Sequence, residues 1–119
     1  MSEAKPVYQD SEAFNIEGFR TLPCSQHKDS PDYQPPTPEQ VKTLRNYLNL
    51  SQVACARLTG ASYQPDKGSS TVRKWETATD NRNHKPIPYA AWRLMLAAAC
   101  IVDLQEDLIY SQSTIPPLI

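Results

Sequence analysis

Glycine is scarce in this sequence, with three residues in 119, and histidine is scarcer, with two. A Gly-rich phosphate-cradling loop needs several glycines close together, so a nucleotide-binding loop of that design is not expected. No Ser/His/Asp or Cys/His set and no metal quartet can be assembled, and neither an enzyme nor a cofactor is expected. The three cysteines, Cys24, Cys55 and Cys100, are odd in number and far apart. They do not read as a disulfide framework and point to reduced thiols in a cytoplasmic protein. Cys24 and His27 have the spacing of half a zinc site, but no second half follows, so the expectation is a surface Cys and a surface His. There is no run of about 18 apolar residues, and no basic-then-apolar amino-terminal segment with a cleavage site. Neither a membrane span nor a secretory leader is therefore expected.

What is plentiful is proline, at 11, against a hydrophobic content of 39%. The prolines cluster outside the middle of the chain, which suggests one folded centre with irregular flanks. Residues 1–37 scatter Tyr8, Phe14, Phe19 and Leu22 between polar and proline punctuation, and read as an arm that is partly extended or disordered. Thr37-Pro38-Glu39-Gln40 is a helix start, with Thr as N-cap and Pro at the first helical position. Val41, Leu44, Tyr47 and Leu48 then form one apolar face. Ser51 opens a second helix of small residues that ends at Thr59-Gly60. A turn-rich loop, ASYQPDKG, follows, and then a third helix beginning near Ser69 or Ser70. Pro88 starts a long last helix running to about residue 110, and residues 111–119 form an irregular tail. The fold class is all-α with four to five helices, over a domain of residues 38–110.

Net charge is −1, but it is unevenly spread. The first 37 residues and the last 19 are acidic, whereas residues 38–100 hold most of the Lys and Arg. Positive charge thus collects in the folded centre, as a phosphate backbone would require of a partner surface.

Within that centre, GSSTVRKWETATDN contains two kinds of chemistry. Helical spacing puts Val72, Trp75 and Glu76 on one side and Ser70, Arg73, Lys74 and Thr77 on the other. Trp75 reads as a core anchor and Glu76 as a structural acceptor for a backbone N–H or a nearby cation. The opposite side offers hydroxyls, a guanidinium and an ammonium to a polar or anionic partner.

LSQVACARLTGAS followed by SSTVRKWE resembles the helix-turn-helix of the Cro/phage-repressor (Xre) family of DNA-binding regulators, with a lambda-repressor-like fold. The matching positions are Ser51, Gln52, Ala56, Gly60, Ser70, Thr71, Val72, Trp75 and Glu76, and the resemblance covers residues 38–100. Thr59, Ala78 and the longer turn at residues 61–68 depart from the pattern. The resemblance implies a phosphate contact from Gln52 and a major-groove position for Ser70, Thr71, Arg73 and Lys74. Arg73 is the candidate for sequence reading, because a guanidinium can bond guanine in bidentate fashion, while Lys74 is suited to backbone charge. Ser69, Thr77 and, in the long turn, Lys67 complete the candidate DNA-binding set. Arg82 and Lys85, in the following loop, would grip phosphate or serve only as solubilising charge.

The implied partner is double-stranded DNA, bound by a homodimer on half-sites about 34–36 Å apart. Ile101, Leu104 and Leu108 are the candidate dimer seam, unless Tyr8, Phe14 and Phe19 of the arm cover them. The expected function is a repressor of a small bacterial, plasmid or phage operon. An antitoxin-type regulator holding a protein through its acidic arm or tail, and an interaction module without DNA binding, are the alternatives.

Overall fold

The computed structural model describes residues 15–113, with the side chain of Ser113 left out. Tyr8, Phe14 and residues 114–119, which the sequence reading assigned to the arm and the tail, lie outside the described residues. The described chain is all-α, with six α-helices and no strands. These are α1 (Ile16–Arg20), α2 (Pro38–Tyr47), α3 (Gln52–Thr59), α4 (Ser70–Trp75), α5 (Tyr89–Ala98) and α6 (Leu104–Ser113), with a 3-10 turn at Pro23–Ser25. Helix α3 packs against α4 and α5, and α2 packs against α5. The arrangement is a compact helical bundle consistent with a helix-turn-helix fold.

Local chemistry explains where the central helices begin. Thr37 and Gln40 form a reciprocal capping box, the Gln40 N–H donating to Thr37 Oγ1 (3.1 Å) and the Thr37 N–H to Gln40 Oε1 (2.9 Å). Ser51 caps α3 by accepting from the Ala54 N–H.

Three helix ends turn through left-handed residues. Gly60 (φ 82°) does so after α3, with the Ala61 N–H returning to the Ala56 carbonyl. Asn49 (φ 60°) and Cys100 (φ 61°) do so after α2 and α5. The Ile101 N–H bonds the Leu96 carbonyl and the Cys100 N–H bonds the Ala97 carbonyl, which is a Schellman closure, and buried Ile101 packs into the same core as Leu96. The long last helix expected from Pro88 onward is therefore two helices, and the second continues past residue 111 to Ser113.

The core contains Leu44 of α2, Cys55 and Ala56 of α3, Val72 and Trp75 of α4, and Trp92, Met95 and Leu96 of α5. Full burial of one large apolar side chain such as Leu44 or Leu96 stabilises the fold by about 1.5–3 kcal/mol. The arm reading of residues 1–37 needs correction over its described part. Phe19 of α1 and Cys24 of the 3-10 turn are buried core residues. Phe19 lies 6.2 Å from the Trp92 ring, and Trp92 Nε1 donates to the Cys24 carbonyl (2.8 Å), so the core extends well upstream of residue 38. The surface expectation for Cys24 and His27 fails for the same reason. Cys24 is buried, and the His27 ring is stacked on Tyr110 of α6, its centroid 4.3 Å away.

Burial pushes the Cys24 and Cys55 thiols up to about 11, while Cys100 is exposed. A thiol reagent at pH 8 is expected to modify Cys100 in the native protein and the other two only after unfolding, because the thiolate is the nucleophile. Mass spectrometry of the labelled protein checks this, and native labelling at Cys24 or Cys55 would contradict the packing described.

Candidate nucleic-acid interface

The frame of the candidate site is an ionic joint among three helices. Glu76, which follows α4, receives Arg45 Nη2 of α2 (3.0 Å) and Gln52 Nε2 of α3 (3.2 Å), and Arg45 Nε donates to its second oxygen. The two charged side chains are 11% and 6% exposed. Arg45 Nη1 also donates to the Leu50 carbonyl, so the guanidinium spans the link between α2 and α3. Glu76 is thus the structural acceptor its position suggested. Gln52, expected to meet phosphate, donates one amide N–H to this joint.

The joint and the buried Val72 and Trp75 fix which side of α4 faces outward. Ser70 and Arg73 are exposed and Lys74 is half-buried. The following loop folds back on the same helix: the Lys85 N–H donates to the Lys74 carbonyl (3.1 Å), and His84 Nδ1 lies 2.8 Å from the Thr77 carbonyl. Lys74 and Lys85 are thereby neighbours through the backbone, with exposed Arg82 in the same loop.

The hydroxyls are less available than the sequence implied. Ser69 is fully buried; it caps α4 by accepting from the Val72 N–H (3.1 Å) and donates to the Ser62 carbonyl (2.7 Å). It is a structural residue and not a DNA contact. Thr77 donates to the Arg73 carbonyl (2.8 Å), a local bond that uses its proton. Thr71 is half-buried and lies 2.9 Å from Ser62 Oγ. Of the candidate set, Lys67, Ser70, Arg73, Arg82 and Lys85 are the exposed members, and Gln52, Thr71, Lys74 and Thr77 are partly so.

Ion pairing separates the cations into two groups. Arg20, Lys28, Arg45 and Arg93 each pair with a carboxylate. Lys42, Arg57, Lys67, Arg73, Lys74, Arg82 and Lys85 make no ion pair among the described residues. Exposed Arg57, in the last turn of α3, lies outside the residues that the motif singled out.

No protein-family model matches this chain, and no curated protein or solved structure matches it significantly.

The expected dimer seam is also revised. Ile101 is 3% exposed and belongs to the monomer's core, where the Schellman turn at Cys100 places it. Leu104 and Leu108 remain exposed, at 44% and 52%, and Ile109 joins them at 57%. Helix α6 is fastened to the rest of the molecule by Arg93, which pairs with Asp107, and by His27, whose Nε2 lies 3.2 Å from Ser111 Oγ. No described helix is long and apolar enough to cross a membrane.

Proposed function

We propose that this chain is a sequence-specific DNA-binding transcriptional regulator of the Cro/phage-repressor type. In this reading it acts as a cytoplasmic homodimeric repressor without catalytic activity. One observation carries the reading: α4 is locked by Val72, Trp75 and the Glu76 joint so that Arg73 and Ser70 face outward, beside cations that have no carboxylate partner among the described residues. A surface whose cations are left unpaired retains them for an external anion, and the phosphate backbone is the densest such anion. On this proposal Arg73 reads a base edge, while Lys74, Arg82 and Lys85 hold phosphate. The exposed residues Leu104, Leu108 and Ile109 of α6 supply the dimer seam.

Arg73→Ala is expected to lose about 1–3 kcal/mol of discrimination between a preferred duplex and an unrelated one, without unfolding the protein. The test is a fluorescence-anisotropy titration at two salt concentrations, using the chain's own upstream DNA and an unrelated duplex. Equal, weak binding to both, unaltered by the substitution, would reject the regulator reading and favour an interaction module.

A further inference from the structure

The path from α3 to α4 contains a built loop. After the left-handed turn at Gly60, the chain reaches Ser62, and Ser69 Oγ closes on the Ser62 carbonyl (2.7 Å) just before α4 begins. Ser62 Oγ meets Thr71 Oγ1 at 2.9 Å. The residues between are pinned into a small closed hairpin. Gln64 and Gly68 exchange N–H to carbonyl bonds of 2.8 and 2.9 Å, and Gly68 takes φ 104°. The Lys67 N–H donates to the Gln64 carbonyl (3.1 Å), which completes the turn at the tip. The extra residues are therefore looped out, and the two helices of the motif are joined across Ser62 and Ser69 as though the turn were short.

The loop is also held close to the start of α4. Lys67 is two residues before Ser69, so their Cα atoms are at most about 7.6 Å apart. Tyr63, Gln64, Pro65, Asp66 and Lys67 are all exposed, and Tyr63, a large aromatic, is 41% so. Asp66 and Lys67, although adjacent, make no ion pair with each other or with any described residue. A tip fixed by its own backbone bonds presents these side chains at little ordering cost, as a preorganised contact requires.

We propose that the hairpin at residues 63–68 is a second DNA-contacting element, in which Lys67 holds the phosphate backbone flanking the groove that α4 enters. This rests on the DNA-binding reading above. Its distinctive consequence is a pair of opposite effects at neighbouring positions. Lys67→Ala removes a phosphate contact, which weakens every duplex by the same factor and lowers the slope of log affinity against log salt by about 0.9. Asp66→Asn removes a negative charge held against phosphate and tightens binding about twofold or more at low salt. Both side chains are exposed, so neither change threatens the fold.

The experiment uses full-length protein and two duplexes: the tightest one recovered by selection from a random-sequence library, and one of scrambled sequence. Wild type, Arg73→Ala, Lys67→Ala and Asp66→Asn are titrated across a salt series. Weakening by Lys67→Ala on both duplexes, with tightening by Asp66→Asn, supports the hairpin contact. If Arg73→Ala abolishes the preference between duplexes while both hairpin variants match wild type, the hairpin proposal is overturned and the regulator reading survives. If selection enriches no sequence and Arg73→Ala changes nothing, both are overturned.

Discussion

Glu76→Ala is expected to destabilise the folded chain by about 3–5 kcal/mol, the cost typical of removing one partner from a buried ion pair. The substitution leaves the Arg45 guanidinium, 11% exposed, with only the Leu50 carbonyl of its three bonded acceptors. It also frees the Gln52 amide. A loss of this size is a large fraction of the 5–15 kcal/mol that ordinarily holds a small domain together. Its position gives it a second effect. Arg45, Gln52 and Glu76 come from α2, α3 and the end of α4, so the angle at which α4 is presented depends on this joint. Urea unfolding followed by circular dichroism measures the first effect. The double substitution Arg45→Met with Glu76→Leu separates charge burial from packing: apolar replacement of both partners is expected to recover much of the loss, since no charge is left unpaired. A Glu76→Ala loss below about 1 kcal/mol would mean that the joint is solvated and does not hold the helices.

What the sequence disclosed about the fold was chiefly its local chemistry. The Thr37–Gln40 capping box, the Ser51 cap and the turn at Gly60 depend on residues within four positions of one another, and each was readable as a pattern. The division of α4 into a buried Val72 and Trp75 side and an exposed Arg73 side followed from helical spacing alone. Ser69 shows the limit of such reading. Two adjacent serines both suit an N-cap, and the choice was made by the Ser62 carbonyl across the hairpin. The break at Cys100 was hidden because Ala97–Ile101 contains neither Gly nor Pro, and a cysteine adopts the left-handed conformation that usually marks a helix end by glycine. Helix α1 was missed because five residues are too few to show a period, and the Trp92 that Phe19 and Cys24 meet lies far along the chain. The same distance hid Arg93, whose acceptors are Ser25, Gln26 and Asp107.

Arg93 carries the second large effect. It is buried, at 5% exposure, and its guanidinium donates to the Ser25 carbonyl (2.9 Å), the Gln26 carbonyl (3.0 Å) and both oxygens of Asp107 (2.8 and 2.6 Å). One side chain therefore ties the end of the 3-10 turn and α6 to α5. Arg93→Ala is expected to cost about 3 kcal/mol, at the lower end for a broken buried pair because Asp107 retains some access to water. The loss should not be spread evenly. Leu104, Leu108 and Ile109 are exposed, and Asp107, Tyr110 and Ser111 attach α6 to the other described helices and turns. Without Arg93 the Asp107 attachment is lost, and α6 is expected to open before the core does, since local opening follows low local contact. Hydrogen exchange should then show lost protection over residues 104–113, with α3 and α5 losing less. On the proposed function, the same variant dimerises poorly while each monomer keeps its outward-facing Arg73, so it binds a single half-site and loses the affinity gained from two. Sedimentation equilibrium alongside DNA titration checks that separation. Uniform loss of protection through all helices would instead place Arg93 in the global stability of the core and leave α6 with no independent opening.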